Sequence, residues 1–136
     1  MLKYLLDTNI VIYVMKRRPL EVLAMFNQHA GRMAMSVVTL AELYHGAEKS
    51  ERVAQNLGVI EDFTSRLQVL PYTAAAAQHY GAIRGALEKV GQTIGVNDLH
   101  IAAHARSQGL TVVTHNLAEF ERVPGLLLEN WVIPGH

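Results

Sequence analysis

The chain is predicted to fold as an α/β protein, a three-layer sandwich around a mostly parallel sheet of about five strands. Three observations predict this. Short apolar or β-branched runs recur: LKYLL at 2–6, RMAMS at 32–36, QVLPY at 68–72 and LTVVT at 110–114. Each is bounded by turn formers and is too short for a buried helix. Longer segments with helical spacing of apolar residues separate them. The length of 136 residues, with 50% apolar and 18% charged, suits one domain (residues 1–136) with its own core.

Taken in order, residues 2–6 form the first strand. Ile10 to Met15 continues as an apolar helix, and Lys16-Arg17-Arg18-Pro19 breaks it. Pro19 suits the first turn of a second helix running to about His29. Arg32 to Ser36 is the second strand, and Thr39 opens a helix to about Glu48. Val53, Leu57, Ile60 and Phe63 mark a helix within 51–66. Gln68 to Tyr72 is the third strand, ended by Pro71. An alanine-rich helix spans about Thr73 to Val90, with Gly91 as its stop. Asn97 or Asp98 starts the next helix, to about Ser107, with Gly109 just past its end. Leu110 to Thr114 is the fourth strand. Asn116 to Phe120 makes a single turn, Leu126 to Val132 a last edge strand, and the tail PGH is expected to be loose.

Composition excludes several classes. Without cysteine there is no disulfide framework, thiolate zinc site or cysteine nucleophile. The first apolar run is too short for a signal-peptide core, and no stretch nears the roughly 18 apolar residues of a membrane span. The expectation is a cytoplasmic protein with no membrane partner. Basic and acidic residues balance at twelve each, so a polyanion would have to meet a local basic patch. Only three acids are aspartate, Asp7, Asp62 and Asp98, so the location of each carries information.

Sites in open parallel sheets form beyond the carboxyl ends of the strands. Asp7-Thr8-Asn9 follows the first strand. Ser36, then Thr39 and Glu42, follow the second. Thr114, His115, Asn116 and Glu119 follow the fourth, and Asp98 opens the helix leading into it. Each has a simpler explanation. Asp7 could cap the first helix, Thr39 and Glu42 match a capping box, Asp98 suits a first helical turn, and Asn116 could shape a turn. Their convergence on one edge points to a common cause. Carboxylates so close raise one another's pKa unless a cation neutralises them. All-oxygen ligands favour Mg²⁺, with Mn²⁺ as a substitute. Such ions serve phosphoryl chemistry, and with no Walker loop in the chain, hydrolysis is favoured over nucleotide-dependent transfer.

Four segments, LLDTNIVIYVMK, SVVTLAELYHGAEKS, GVNDLHIAAHA and VTHNLAEFERVPGL, in this order and spacing, resemble the PIN-domain ribonucleases, and more closely the VapC toxins of bacterial toxin–antitoxin pairs. The resemblance covers nearly the whole chain. It implies that Asp7, Glu42 and Asp98 bind Mg²⁺. A fourth family position is Asp in some members and Asn or another residue in others; Asn116 stands there, with Glu119 as an assistant. Also implied are a flavodoxin-like variant sheet, a homodimer, cleavage of structured RNA (often tRNA) with arrest of translation and growth, and a cognate VapB-like antitoxin whose tail covers the acidic rim. Metal-activated water would leave 3′-hydroxyl and 5′-phosphate ends. Thr8, Asn9, Ser36 and Thr114 are expected to orient the carboxylates. Lys16, Arg17 and Arg18 are candidates for RNA phosphates, with a solvated helix end as the simpler reading; Arg84 and Arg106 are weaker candidates.

Other signals are thinner. Glu42 and His45 form an E-x-x-H pair, but di-iron sites need two copies. His100 and His104 share a helix face without the glutamate of the zinc-protease pattern, so one is expected to face solvent and one to pack. The apolar faces of the first four helices could bury a partner or simply the core. Two further functions compete with the nuclease. An aspartyl-phosphate phosphatase would use Asp7 as nucleophile, but Asn9 stands where its acid should be. A non-catalytic RNA- or partner-binding module would not need the complete acid set.

Overall fold

The computed structural model describes residues 1–133; the predicted loose tail at 134–136 lies outside them. The chain runs β1 (Tyr4–Leu6), α1 (Thr8–Lys16), α2 (Leu20–Gln28), β2 (Met33–Ser36), α3 (Val37–Glu48), α4 (Val53–Thr64), β3 (Gln68–Leu70), α5 (Ala74–Lys89), α6 (Val96–Gln108), β4 (Thr111–Val113), α7 (Leu117–Phe120) and β5 (Leu127–Glu129). The five strands are ordered β3-β2-β1-β4-β5, and every pairing is parallel. The predicted α/β architecture is therefore present.

Alternation along the strands builds the layers. Tyr4 and Leu6 of β1, with Met33 and Met35 of β2, face a core closed by α1 to α4 through Ile10, Val22, Phe26, Leu43, Ile60 and Phe63. Leu5, Ala34 and Val112 face the opposite way, into a core closed by α5 and α6 through Ile83, Leu87, Leu99 and Ile101. Strands buried on both faces explain why the runs read as continuously apolar.

The chain winds outward from β1 to β2 and β3, then crosses back so that β4 pairs with the other side of β1. That reversal sets a crevice at the carboxyl ends of β1 and β4. The Asp7 amide donates to the Val113 carbonyl across it, at 2.9 Å.

Two boundaries differ from expectation in ways that matter. The third helix starts at Val37, not Thr39, because the Ser36 side chain caps it by accepting from the Val38 amide at 3.1 Å. Thr39 is then the third helical residue, and Glu42 is free of capping-box duty. The last strand is three residues, not the seven of 126–132, because Asn130 accepts from the Val132 amide and turns the chain. Gly109 ends α6 in the left-handed conformation (φ 68°), as its position predicted. Arg17 adopts the same conformation (φ 59°) at the end of α1. No helix among the described residues is long and apolar enough to cross a membrane.

Candidate active site

Asp7 is the N-cap of α1, so the capping explanation is correct as far as it goes. It is also a side chain of 4% exposure facing the crevice between β1 and β4. Its Oδ1 accepts from the Thr8 amide at 2.8 Å. Its Oδ2 accepts from the Thr114 hydroxyl, also at 2.8 Å. Thr114 in turn accepts from the Asn116 amide at 2.9 Å, which ties the end of β4 to the start of α7. The Thr8 hydroxyl donates to Glu42 Oε1 at 2.8 Å and lies 3.2 Å from the Thr39 hydroxyl. With its single proton on Glu42, Thr8 receives the proton of Thr39. Asn116 Nδ2 donates to Glu119 Oε2 at 3.1 Å.

Asp98 sits in the first turn of α6, where the helix dipole favours an acid, and Gly95 caps the helix without a side chain. Burial nevertheless pushes the Asp98 carboxyl up to about 8. A hydrogen bond to Glu119 and the charges of Asp7, Glu119 and Glu42 add to the shift. Asp7 is also raised above the ordinary carboxylate range. Burial raises it, the bonds from Thr114 and Thr8 oppose the shift, and Glu42 and Glu119 reinforce it. Four carboxylates are therefore in electrostatic contact across one crevice. The ion pairs among the described residues, Arg66–Asp62 and Arg84–Glu88, lie elsewhere.

Among the described residues, no three such groups close on a single point as a ready-made metal cage. The donor chemistry still fits a hard divalent cation. It is all oxygen, half-buried and without a protein cation to neutralise it. Mg²⁺ keeps several waters and takes only one or two carboxylates directly.

Of the expected orienting residues, Thr8 and Thr114 hold carboxylates, whereas Ser36 and Asn9 do not. The Ser36 hydroxyl is engaged by the Val38 amide and, at 2.8 Å, by His104 Nδ1. Asn9 Oδ1 accepts from the His115 amide at 3.5 Å. Two groups that the sequence did not assign to orienting the carboxylates therefore join the frame of the site. Thr39, read as a cap, is buried beside Thr8. His104, expected only to pack or to face solvent, is buried behind Ser36. The expectation that one of His100 and His104 faces solvent is corrected: both pack. His100 stacks on Tyr80 (centroids 4.2 Å apart, planes at 12°) and bonds the Tyr72 hydroxyl through Nδ1. His45 is exposed on α3 and joins no cluster.

The cationic run divides. Lys16 and Arg18 line a groove with Tyr13 and His115 next to the crevice. Arg17 lines a different cavity, with Asp62 of α4 and Arg66 just past its end. Arg84 pairs with Glu88, and Arg106 donates to His79 and to the Pro124 carbonyl, both away from the carboxylates.

The family model "PIN domain" matches residues 4–126. The chain is 63% identical over 132 residues to "Ribonuclease VapC2" of Haemophilus influenzae, covering 97% of this chain and all of that one. It is 53% identical to "tRNA(fMet)-specific endonuclease VapC" of Shigella flexneri, covering 96% of this chain and 99% of that one. Among solved structures it resembles DNA-bound VapBC from Salmonella typhimurium, with a TM-score of 0.93 and 49% identity over 97% of this chain and 100% of that one. Agreement at this level spans both cores and every element that feeds the crevice. The chain belongs to the PIN-domain family and, within it, to the VapC ribonucleases.

Proposed function

We propose that this ribonuclease is the toxin of a toxin–antitoxin pair. In this reading it hydrolyses RNA, with tRNA as its natural class, using a divalent cation held by Asp7, Glu42 and Asp98. The observation that carries the reading is the unneutralised acidic cluster, in which Asp98 keeps its proton up to about pH 8. Oxygen-only donors favour Mg²⁺, with Mn²⁺ as a substitute. When bound, the cation supplies charge neutralisation at the scissile phosphate and the leaving oxygen, and it acidifies the attacking water.

The chain's own residues supply position and proton handling. The Thr8 amide and Thr114 hydroxyl fix both oxygens of Asp7, and the Thr8 hydroxyl fixes Glu42, so neither carboxylate has to reorganise as charge develops. Asn116 is neutral and donates to Glu119, holding that carboxylate toward Asp98. Glu119, held by Asn116 and hydrogen-bonded to Asp98, stands beside the other three carboxylates, where it can take a proton from the attacking water. Attack by water, with the P–O3′ bond breaking and the ribose 3′-oxygen leaving as a hydroxyl, gives 5′-phosphate and 3′-hydroxyl ends.

Relatives solved as VapBC complexes support a VapB-like antitoxin as the partner. A cavity of about 220 Å³ lined by Ile12, Met15, Leu43, Ala47, Val59 and Ile60 adjoins Thr8 and Glu42, a fitting seat for an apolar antitoxin side chain beside the acidic rim. The resemblance adds a homodimer, and arrest of translation and growth when the antitoxin is lost. Sequencing RNA ends after the chain is expressed alone tests the reading. New 5′-phosphate ends clustered in a tRNA are expected; 5′-hydroxyl ends paired with 2′,3′-cyclic phosphates would overturn water as the nucleophile.

A further inference from the structure

Beside the acidic crevice, on the α1 side, lies a groove of about 470 Å³ lined by Tyr13, Lys16, Arg18, Pro19, His115 and Val132. It holds two cations and two rings, and no carboxylate among the described residues lines it. Lys16, Arg18 and His115 are exposed. Neither cation forms an ion pair among the described residues. The Tyr13 and His115 rings meet edge to face, with centroids 6.2 Å apart and planes at 63°. His115 lies between Thr114, which holds Asp7, and Asn116, which holds Glu119. Its amide donates to Asn9, two residues from Asp7, which ties its backbone to the frame of the site, and its ring Nδ1 lies 3.5 Å from Asn130 Nδ2.

We propose that this groove is a subsite for one unpaired nucleotide of the RNA, with its base on the His115 and Tyr13 rings and its flanking phosphates on Lys16 and Arg18. The proposal rests on the ribonuclease reading of the adjoining carboxylates. A cluster of four acids repels a polyanion, so the strand needs cations next to the site to hold it there. The groove contains them. A π-face accepts any base, but only one that is unstacked from a helix. This limits the groove to single-stranded segments or loops. The left-handed turn at Arg17 separates the three cations, with Lys16 and Arg18 on the groove and Arg17 in the cavity beside α4. The structure therefore makes a sharper statement than a basic patch would: two of three adjacent cations bind RNA and the middle one does not.

The test is fluorescence anisotropy with a labelled single-stranded oligoadenylate and the full chain in EDTA, where binding is read without cleavage. Lys16→Ala and Arg18→Ala should each weaken binding and each lower the slope of log affinity against log salt by about 0.7. Arg17→Ala should leave affinity within about twofold and the slope unchanged. His115→Ala should cost about fivefold or more, and His115→Phe should restore most of it, because stacking needs a ring and not a charge. All four positions are exposed, so folding is not at stake. Equal losses at Lys16, Arg17 and Arg18 would reduce the groove to bulk charge and overturn the subsite. So would full binding by His115→Ala, or equal competition by a duplex, as expected if the groove served a protein partner instead. Cleavage by the unaltered chain in Mg²⁺ is scored separately. Its absence, with the binding pattern intact, would sink the ribonuclease reading and leave the nucleotide subsite standing.

Discussion

The Thr114 hydroxyl donates to Asp7 Oδ2 at 2.8 Å while accepting from the Asn116 amide at 2.9 Å. One buried hydroxyl thus couples the ends of β1, β4 and α7, and together with the Thr8 amide it holds Asp7 in a single orientation. Thr114→Val keeps the shape and removes the bond. Loss of a hydrogen bond to a charged group costs about 1.5–3 kcal/mol. Cleavage should fall about 10–100-fold, the range for loss of a group that supports a metal ligand. Calorimetry and a tRNA cleavage assay read the two effects.

The Asp98 carboxyl gives a pH signature whose sign is fixed. Its pKa is 3.8 when unfolded and about 8 when folded. Between those values the native state binds more protons than the unfolded state, so this group's contribution is full below the lower value and is lost as pH rises toward the upper one. In EDTA, thermal stability should decline above the histidine range, from about pH 6.5 to about pH 8, and level off beyond it. Saturating Mg²⁺ should remove that decline and release protons on binding, read as a dependence of the calorimetric heat on buffer ionisation enthalpy.

Glu119→Gln removes a charge and weakens the bond that keeps Asp98 protonated. The Asp98 pKa should fall, as followed by carbon NMR of the carboxyl. The alkaline loss of stability in EDTA should shrink with it. An unchanged Asp98 titration would show that burial alone sets the shift.

His104 is fully buried and bonds Ser36 through Nδ1. Burial lowers its pKa, only partly opposed by the Pro71 carbonyl. His100 is lowered as well, by burial first and then by the charge of Arg84. The native state keeps both neutral while the unfolded chain protonates them, so stability falls as pH drops below about 6.5. His104→Leu should flatten that acid limb. His104→Ala should cost roughly 2–4 kcal/mol by leaving a cavity. Melting temperature against pH reads both.

What could be read from the sequence follows the strength of local signals. Strands buried on both faces, such as LTVVT, cannot be mistaken for loops, and Gly109 marks its helix end because few other residues accept its backbone conformation. The carboxylates were found because few aspartates are present and each follows or precedes a strand. Glu42 was the hard case. TLAE is a sound capping box by local rules, and only the helix starting at Val37, capped by Ser36, releases the glutamate to the site. Ser36 and Asn9 were assigned to carboxylates by position alone. Their actual partners, His104 and the His115 amide, are 68 and 106 residues away in sequence, beyond the reach of spacing rules. The division of Lys16, Arg17 and Arg18 depends on one left-handed residue that no propensity would assign to arginine.

On the proposed function, the carboxylate crevice cuts RNA with the help of a divalent cation. The direct measurement is tRNA cleavage by the purified chain in Mg²⁺, in EDTA, and with Asp7→Asn. Cleavage is expected only from the unaltered chain with Mg²⁺, with loss in EDTA reversed by adding the ion back. Full cleavage in EDTA, or by Asp7→Asn, would contradict it.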